Sequence, residues 1–310
     1  MITPRKIKEL YEQGTNISAW LRKELGVTHN TREIIEISYD IQAGSYIELL
    51  KSKAMTQHKV EYTKEIVKEI LSLCSPVSVL EAGVGEATTL SGVMKRLESD
   101  IRGYGFDLSW SRIAYAKDWL QSQGVTNTTL CSGNLLNIPF LDSSIDVVYT
   151  SHSIEPNGGN EEAILRELYR VARKYVILLE PGYEFASQES QKRMDSHGYC
   201  KNLKRISHSL GYDVIKHELF PFHTNPANPT VITIISKQSN AELPSDVFAC
   251  PKYRVPLIKT DSALYSPEAL VAYPIIDGIP CLRIENGVFA SKFQDIISKR
   301  ESRLENKSNN

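Results

Sequence analysis

From Pro76 onward short β-rich runs alternate with helix-patterned stretches, and no other feature constrains the fold as much. VSVLEA, RGYGFD, TTLCSG, IDVVYTS and KYVILLE follow one another, with apolar residues at three- and four-residue spacing between them. Such alternation predicts a parallel sheet with helices on both faces. After VILLE two more strands are expected, in YDVIKHELF and TVITIISK. The segment between them, PFHTNPANP, is too rich in proline and asparagine for a crossover helix, so the last strand should run antiparallel. The expected fold class is α/β: a doubly wound, mostly parallel seven-stranded sheet with an antiparallel last strand.

The flanks read differently. IKELYEQ, AWLRKEL and TREIIEISYDIQAGSYIELLKS carry helical periodicity, which predicts an N-terminal helical cap over residues 1–58 ahead of a main domain over 59–240. A polar stretch, SKQSNAELPSD, marks a second boundary. Beyond it, residues 244–293 should form a small α+β module, and 294–310 a frayed tail. The chain has 36 basic and 37 acidic side chains, so it offers no global attraction to a polyanion, and nucleic acid gains no support as a partner. No run approaches the roughly 18 apolar residues of a membrane helix, and the N-terminus is too polar for a signal peptide. Five scattered cysteines imply no disulfide framework and suit a reducing, cytoplasmic setting.

The stretch VLEAGVGEATTL runs from the first predicted strand into a glycine-spaced turn, where the missing Cβ atoms let the backbone approach a ligand. Gly83 and Gly85 are followed by Thr88 where the dinucleotide fingerprint wants a third glycine. Glu81, just before the turn, would repel a pyrophosphate and suits a ligand with a cationic part. Asp107, at the end of the next strand, is placed to accept from two ribose hydroxyls. An adenosine that bears a positive charge and no phosphate satisfies all three.

These residues resemble the class I S-adenosylmethionine-dependent methyltransferases over roughly residues 59 to 237. Glu81-Ala-Gly83-Val-Gly85 is similar to their glycine motif, GFDLSWSRIAYAK to the acidic strand end and following helix, and CSGNLLNIPF to the adenine-side turn. SIDVVYTSHSIEP is similar to the fourth strand and the loop after it. The resemblance implies S-adenosylmethionine as cofactor, held by Glu81, Gly83, Gly85, Asp107, Leu108, Asn134, Leu135 and Ser151. Ala87 stands where many members have a further glycine, Asn134 replaces the usual aspartate, and Pro156 stands where a histidine often follows the loop glutamate.

Methyl transfer is an in-line displacement at an activated carbon, so positioning supplies much of the acceleration and a base is needed only if the acceptor must lose a proton. His152, Glu155 and Asn157, in the loop after the fourth strand, are the first candidates, with Glu180 at the end of the fifth. Tyr183, Glu184, His223 and Asn225 are candidates for the acceptor rim, and Lys59 and Tyr62 for the methionine carboxylate. For each polar residue alone, a loop hydrogen bond is the plainer reading. No histidine pair has zinc-ligand spacing, so no catalytic metal is expected.

DVFACPKYRVPL and VAYPIIDGIPCLRI resemble the small zinc-ribbon-like module that partners tRNA and protein methyltransferases, but Tyr253 takes the place of its second cysteine, leaving Cys250 and Cys281. A metal-free packing module is expected. The leading expectation is methyl transfer to a small-molecule or saccharide acceptor, such as a surface-polysaccharide precursor. The alternatives are a methyltransferase of tRNA or a translation factor, with the C-terminal module as activator, and an NAD-type oxidoreductase or inactive binding module.

Overall fold

The computed structural model describes residues 3–222, 225, 227–297 and 299. The chain begins with α1 (Pro4–Glu12), α2 (Ile17–Leu25), α3 (Arg32–Ile41), α4 (Ser45–Leu49) and α5 (Lys53–Leu73). Thr3, Asn16 and Thr31 cap the first three by accepting from the backbone N–H three residues on, which satisfies donors that a helix start leaves open. Ile7, Ile17, Leu21 and Ile34 form the small core of this cap. The expected boundary after residue 58 falls inside α5. Its sequence carries no glycine or proline to break it, and Tyr62, Ile66, Val67 and Ile70 bury against the main domain.

The main sheet is built from β1 (Ser78–Ala82), β2 (Arg102–Asp107), β3 (Thr128–Ser132), β4 (Ile145–Ser151), β5 (Ala172–Pro181), β6 (Asp213–Leu219) and β7 (Thr230–Ser236). Between strands lie α6 (Thr88–Met94), α7 (Trp110–Ser122), α8 (Glu161–Val171), α9 (Gln188–His197) and α10 (Leu203–Ser209). The strand order is β3-β2-β1-β4-β5-β7-β6. The first five strands are parallel, and β7 is antiparallel to both β5 and β6. This is the expected mixed sheet with helices on both faces. The order reverses beside β1, which pairs with β2 on one side and β4 on the other, and such a switch point opens a crevice at the carboxyl ends of the strands.

The C-terminal segment forms a second, antiparallel sheet from β8 (Ile258–Lys259), β9 (Ala263–Ser266), β10 (Val271–Ile276), β11 (Ile279–Pro280) and β12 (Val288–Phe289). It docks on the β3 edge: Leu282 N donates to Ser132 O at 3.0 Å, and Ala249 N to Pro139 O at 3.0 Å. Cys250, Tyr273 and Leu282 share one apolar cluster with Phe106 and Phe140 of the main domain. The free edge of β3 is thereby covered, which removes a template for pairing with other chains. Arg283 reaches further, donating to both oxygens of Glu36 in α3 at 2.6 and 2.7 Å and to Leu108 O at 3.0 Å. Among the described residues no helix is long and apolar enough to cross a membrane, and no three His, Cys, Asp or Glu side chains stand together as metal ligands.

Candidate active site

A cavity of about 460 Å³ opens at the switch point, floored by the ends of β1, β2 and β4 and walled by α3, α4, α5 and the loop before β7. Its floor is the turn after β1. Gly83 and Gly85 have φ of +76° and +53°, and a Cβ on Gly83 would lie 2.3 Å from that of Ser153. Glycine is thus required by backbone conformation and by the close approach of the loop after β4. Gly83 N and Val84 N both donate to Phe106 O, locking the turn onto β2. Ala87, at φ +55°, holds a left-handed conformation that costs an alanine energy and a glycine little, which accounts for glycine being common at this place in the resembling proteins.

Asp107 faces the cavity with one oxygen accepting from Gly85 N and the other from Ser109 N, both at 2.9 Å. The cap of α7 is Ser109, whose hydroxyl accepts from Arg112 N, so Asp107 is not spent on the helix. Each oxygen keeps a lone pair for a ligand hydroxyl. Burial pushes its carboxyl above the usual range, against the nearby Arg112 guanidinium. Asp107→Ala is expected to weaken S-adenosylmethionine binding by about 1.5 to 3 kcal/mol, the range for hydrogen bonds to a charged group, with folding retained. Calorimetry on the folded variant checks it, and unchanged affinity would remove Asp107 from the ligand contacts.

Glu81 is buried at the end of β1 and accepts from the Tyr149 hydroxyl at 3.0 Å. Burial raises its carboxyl and lowers the Lys59 ammonium, while the attraction between the two groups opposes both effects. Lys59 Nζ donates to Thr89 Oγ1 at 3.1 Å, and the Tyr62 hydroxyl meets Ser151 Oγ at 2.9 Å. Lys59, Tyr62 and Ser151 all line the cavity, as do Leu108, Asn134 and Leu135. Asn134 Oδ1 accepts from Leu136 N at 3.0 Å, so one of its lone pairs serves its own turn.

His152 holds φ +57°, and its ring stands on the cavity wall. Nδ1 lies 2.6 Å from Glu155 Oε2, and Nε2 lies 2.8 Å from Thr230 Oγ1. Burial pulls the imidazole down, but the Glu155 carboxylate outweighs it and holds the group above its ordinary value. Glu155 itself sits below the usual carboxylate range: burial raises it, and His152 more than compensates. Its other oxygen accepts from Asn228 Nδ2 at 3.2 Å.

Glu180 does not reach the cavity. It is buried, one oxygen accepting from Ser153 N and Ile154 N and the other from Glu155 N. These bonds fold the loop that carries His152 and Glu155, so the expectation of Glu180 as a base is replaced by a structural task. Asn157 and Asn225 line the cavity, whereas Tyr183 bonds Asp195 and Glu184 bonds His217 away from it. His223 lies outside the described residues.

Sequence reasoning missed the roof. Glu86 accepts from Gly44 N and Ile47 N, and Asp40 accepts from the hydroxyls of Ser109 and Ser111. Arg112 donates to Tyr39 O and lies 4.9 and 4.7 Å from the ring centres of Tyr39 and Tyr46. These bonds hold α3 and α4 over the site. Glu86, beside the glycine turn, was the one available signal.

The part of the chain that carries this glycine floor is similar to a methyltransferase domain. Residues 79–175 match the family model described as "Methyltransferase domain". Among solved structures, an S-adenosylmethionine-dependent methyltransferase from Aquifex aeolicus is similar, with a TM-score of 0.45 and 17% identity, over 62% of this chain and 96% of that one. Magnesium protoporphyrin IX methyltransferase from Synechocystis PCC 6803, with bound SAH, has a TM-score of 0.49 and 12% identity, over 67% of this chain and all of that one (100%). At these identities the likeness is one of fold.

Proposed function

We propose that this S-adenosylmethionine-dependent methyltransferase transfers a methyl group to a hydroxyl of a small-molecule acceptor, saccharides included, with His152 taking the hydroxyl proton. The observation that carries the reading is the His152–Glu155 pair on the wall of the cavity that also holds Glu81, Gly83 and Asp107. The cofactor supplies a methyl carbon already activated by a positively charged sulfur. Asp107, Leu108, Asn134 and Leu135 would hold its nucleoside, and Glu81, Lys59 and Ser151 its amino-acid end. Glu155 accepts from Nδ1–H and so leaves the Nε2 lone pair as the proton acceptor, at the position where Thr230 now donates. The roof of α3 and α4 excludes water while this happens.

We read the chain as a helical cap, a catalytic domain over 59–240 and a C-terminal module over 244–293 that works as a fixed edge cover. The resemblance of that module to a zinc-ribbon-like partner gives the alternative its content, with tRNA or a translation factor as acceptor. Incubation with methyl-labelled S-adenosylmethionine and a whole extract of the source cells separates the two. Label in the small-molecule fraction supports the proposal. Label confined to RNA or protein overturns it, and for RNA a steep inverse dependence on salt should accompany it.

A further inference from the structure

Arg193, on α9, lines the same cavity as His152 and Glu155. Its Nη1 is buried with no hydrogen-bond partner. The guanidinium carbon lies 5.9 Å from the Tyr199 ring centre, and among the described residues Arg193 has no ion-pair partner. The nearby Glu155 is already spent on His152 Nδ1 and Asn228 Nδ2. A buried guanidinium N–H that bonds to nothing is costly, and it becomes favourable when a ligand brings an anion to it. A second atom is also unsatisfied: Asn228 Oδ1 is buried and accepts from nothing.

One unspent cationic donor and one unspent neutral acceptor, on the wall that carries the His152–Glu155 pair, complement a molecule with one negative group and one hydroxyl. A planar guanidinium fits either a carboxylate or a phosphate, but its single charge balances a carboxylate fully and a phosphate dianion only in part. Of the other cations of the cavity, Lys59 donates to Thr89, and Arg112, whose Nη2 is also buried without a partner, is held near Asp107 and over the Tyr39 and Tyr46 rings of the roof, on the side proposed for the cofactor. Resting on the methyl-transfer reading above, we infer that the acceptor is a small hydroxy acid whose carboxylate is held by Arg193 while its hydroxyl meets His152. In the reaction the acceptor O–H proton passes to His152 Nε2 and the oxygen lone pair forms the new bond to the methyl carbon. The C–S bond breaks with its electrons kept on sulfur, which leaves as a neutral thioether. The Glu155 carboxylate faces the imidazolium until the proton is released to solvent.

The test labels a small-molecule extract of the source cells with methyl-labelled S-adenosylmethionine and the full chain, then reads the charge of the product. The labelled product should bind an anion exchanger near neutral pH and survive phosphatase treatment of the extract. It should disappear when the carboxylates of the extract are first converted to amides. With the labelled acceptor identified, Arg193→Met should raise its KM by about 10- to 150-fold and Arg193→Lys by less, with S-adenosylmethionine affinity by calorimetry unchanged. A labelled neutral or phosphatase-sensitive product, or an unchanged KM in the methionine variant, overturns the carboxylate and leaves methyl transfer standing. Label found only on RNA or protein, or nowhere, sinks both readings. The product's charge is read on the wild-type chain and so stands even if the methionine variant fails to fold.

Discussion

His152→Ala is expected to lower turnover by about a hundred- to ten-thousandfold, the usual contribution of a positioned general base, while S-adenosylmethionine affinity stays near wild type. Its pH dependence tests the same assignment. The base must be unprotonated, so the rate should fall as pH drops through the His152 pKa, and the Glu155 carboxylate places that limb above the ordinary histidine value. In Glu155→Gln the burial of the ring is no longer opposed by that carboxylate, so the limb should move to lower pH. An alanine variant with wild-type turnover would place the base elsewhere. Parallel losses of turnover, cofactor affinity and melting temperature would mean that His152 only braces its loop.

Glu180→Ala is expected to destabilise the fold by about 3 to 5 kcal/mol, because it strands three backbone donors around a buried site at once. Chemical denaturation measures this, and whatever activity remains should show wild-type KM for S-adenosylmethionine in the folded fraction. A stable Glu180→Ala protein that is inactive at saturating cofactor would instead put the carboxylate in contact with the reacting atoms.

The sheet was legible because its signals are local. Each strand is a short apolar run, and the glycine turn must adopt φ values that few other residues take. The antiparallel β7 was legible from PFHTNPANP, since a chain that cannot form a helix between two strands has to turn straight back. The residues expected to hold the cofactor could be picked out for the same reason, all lying within a few positions of a strand end, and they line the cavity. The acceptor wall was not. Arg193, Tyr199, Asn228 and Thr230 come from α9, the loop after it, the loop before β7 and the start of β7, and their meeting on the cavity wall with His152 and Glu155 is set by packing over long sequence distances. Glu180 misled because a carboxylate at a strand end looks the same in sequence whether it faces a cavity or the N–H groups of the next loop. The α5 boundary failed through a related ambiguity, a change of texture without a helix breaker.

The Arg283–Glu36 bridge joins residues 247 positions apart, and its other hydrogen bond falls on the carbonyl of Leu108, beside Asp107. The N-terminal cap and the C-terminal module are therefore buckled together beside the cavity wall at Leu108, so α3 is tied to the module as well as to the main domain. This clasp holds by charge, and because its Glu36 side is partly exposed its attraction weakens as salt rises. Ionic strength should therefore act on the rates at which cofactor enters and product leaves, more than on the proton transfer beneath the roof.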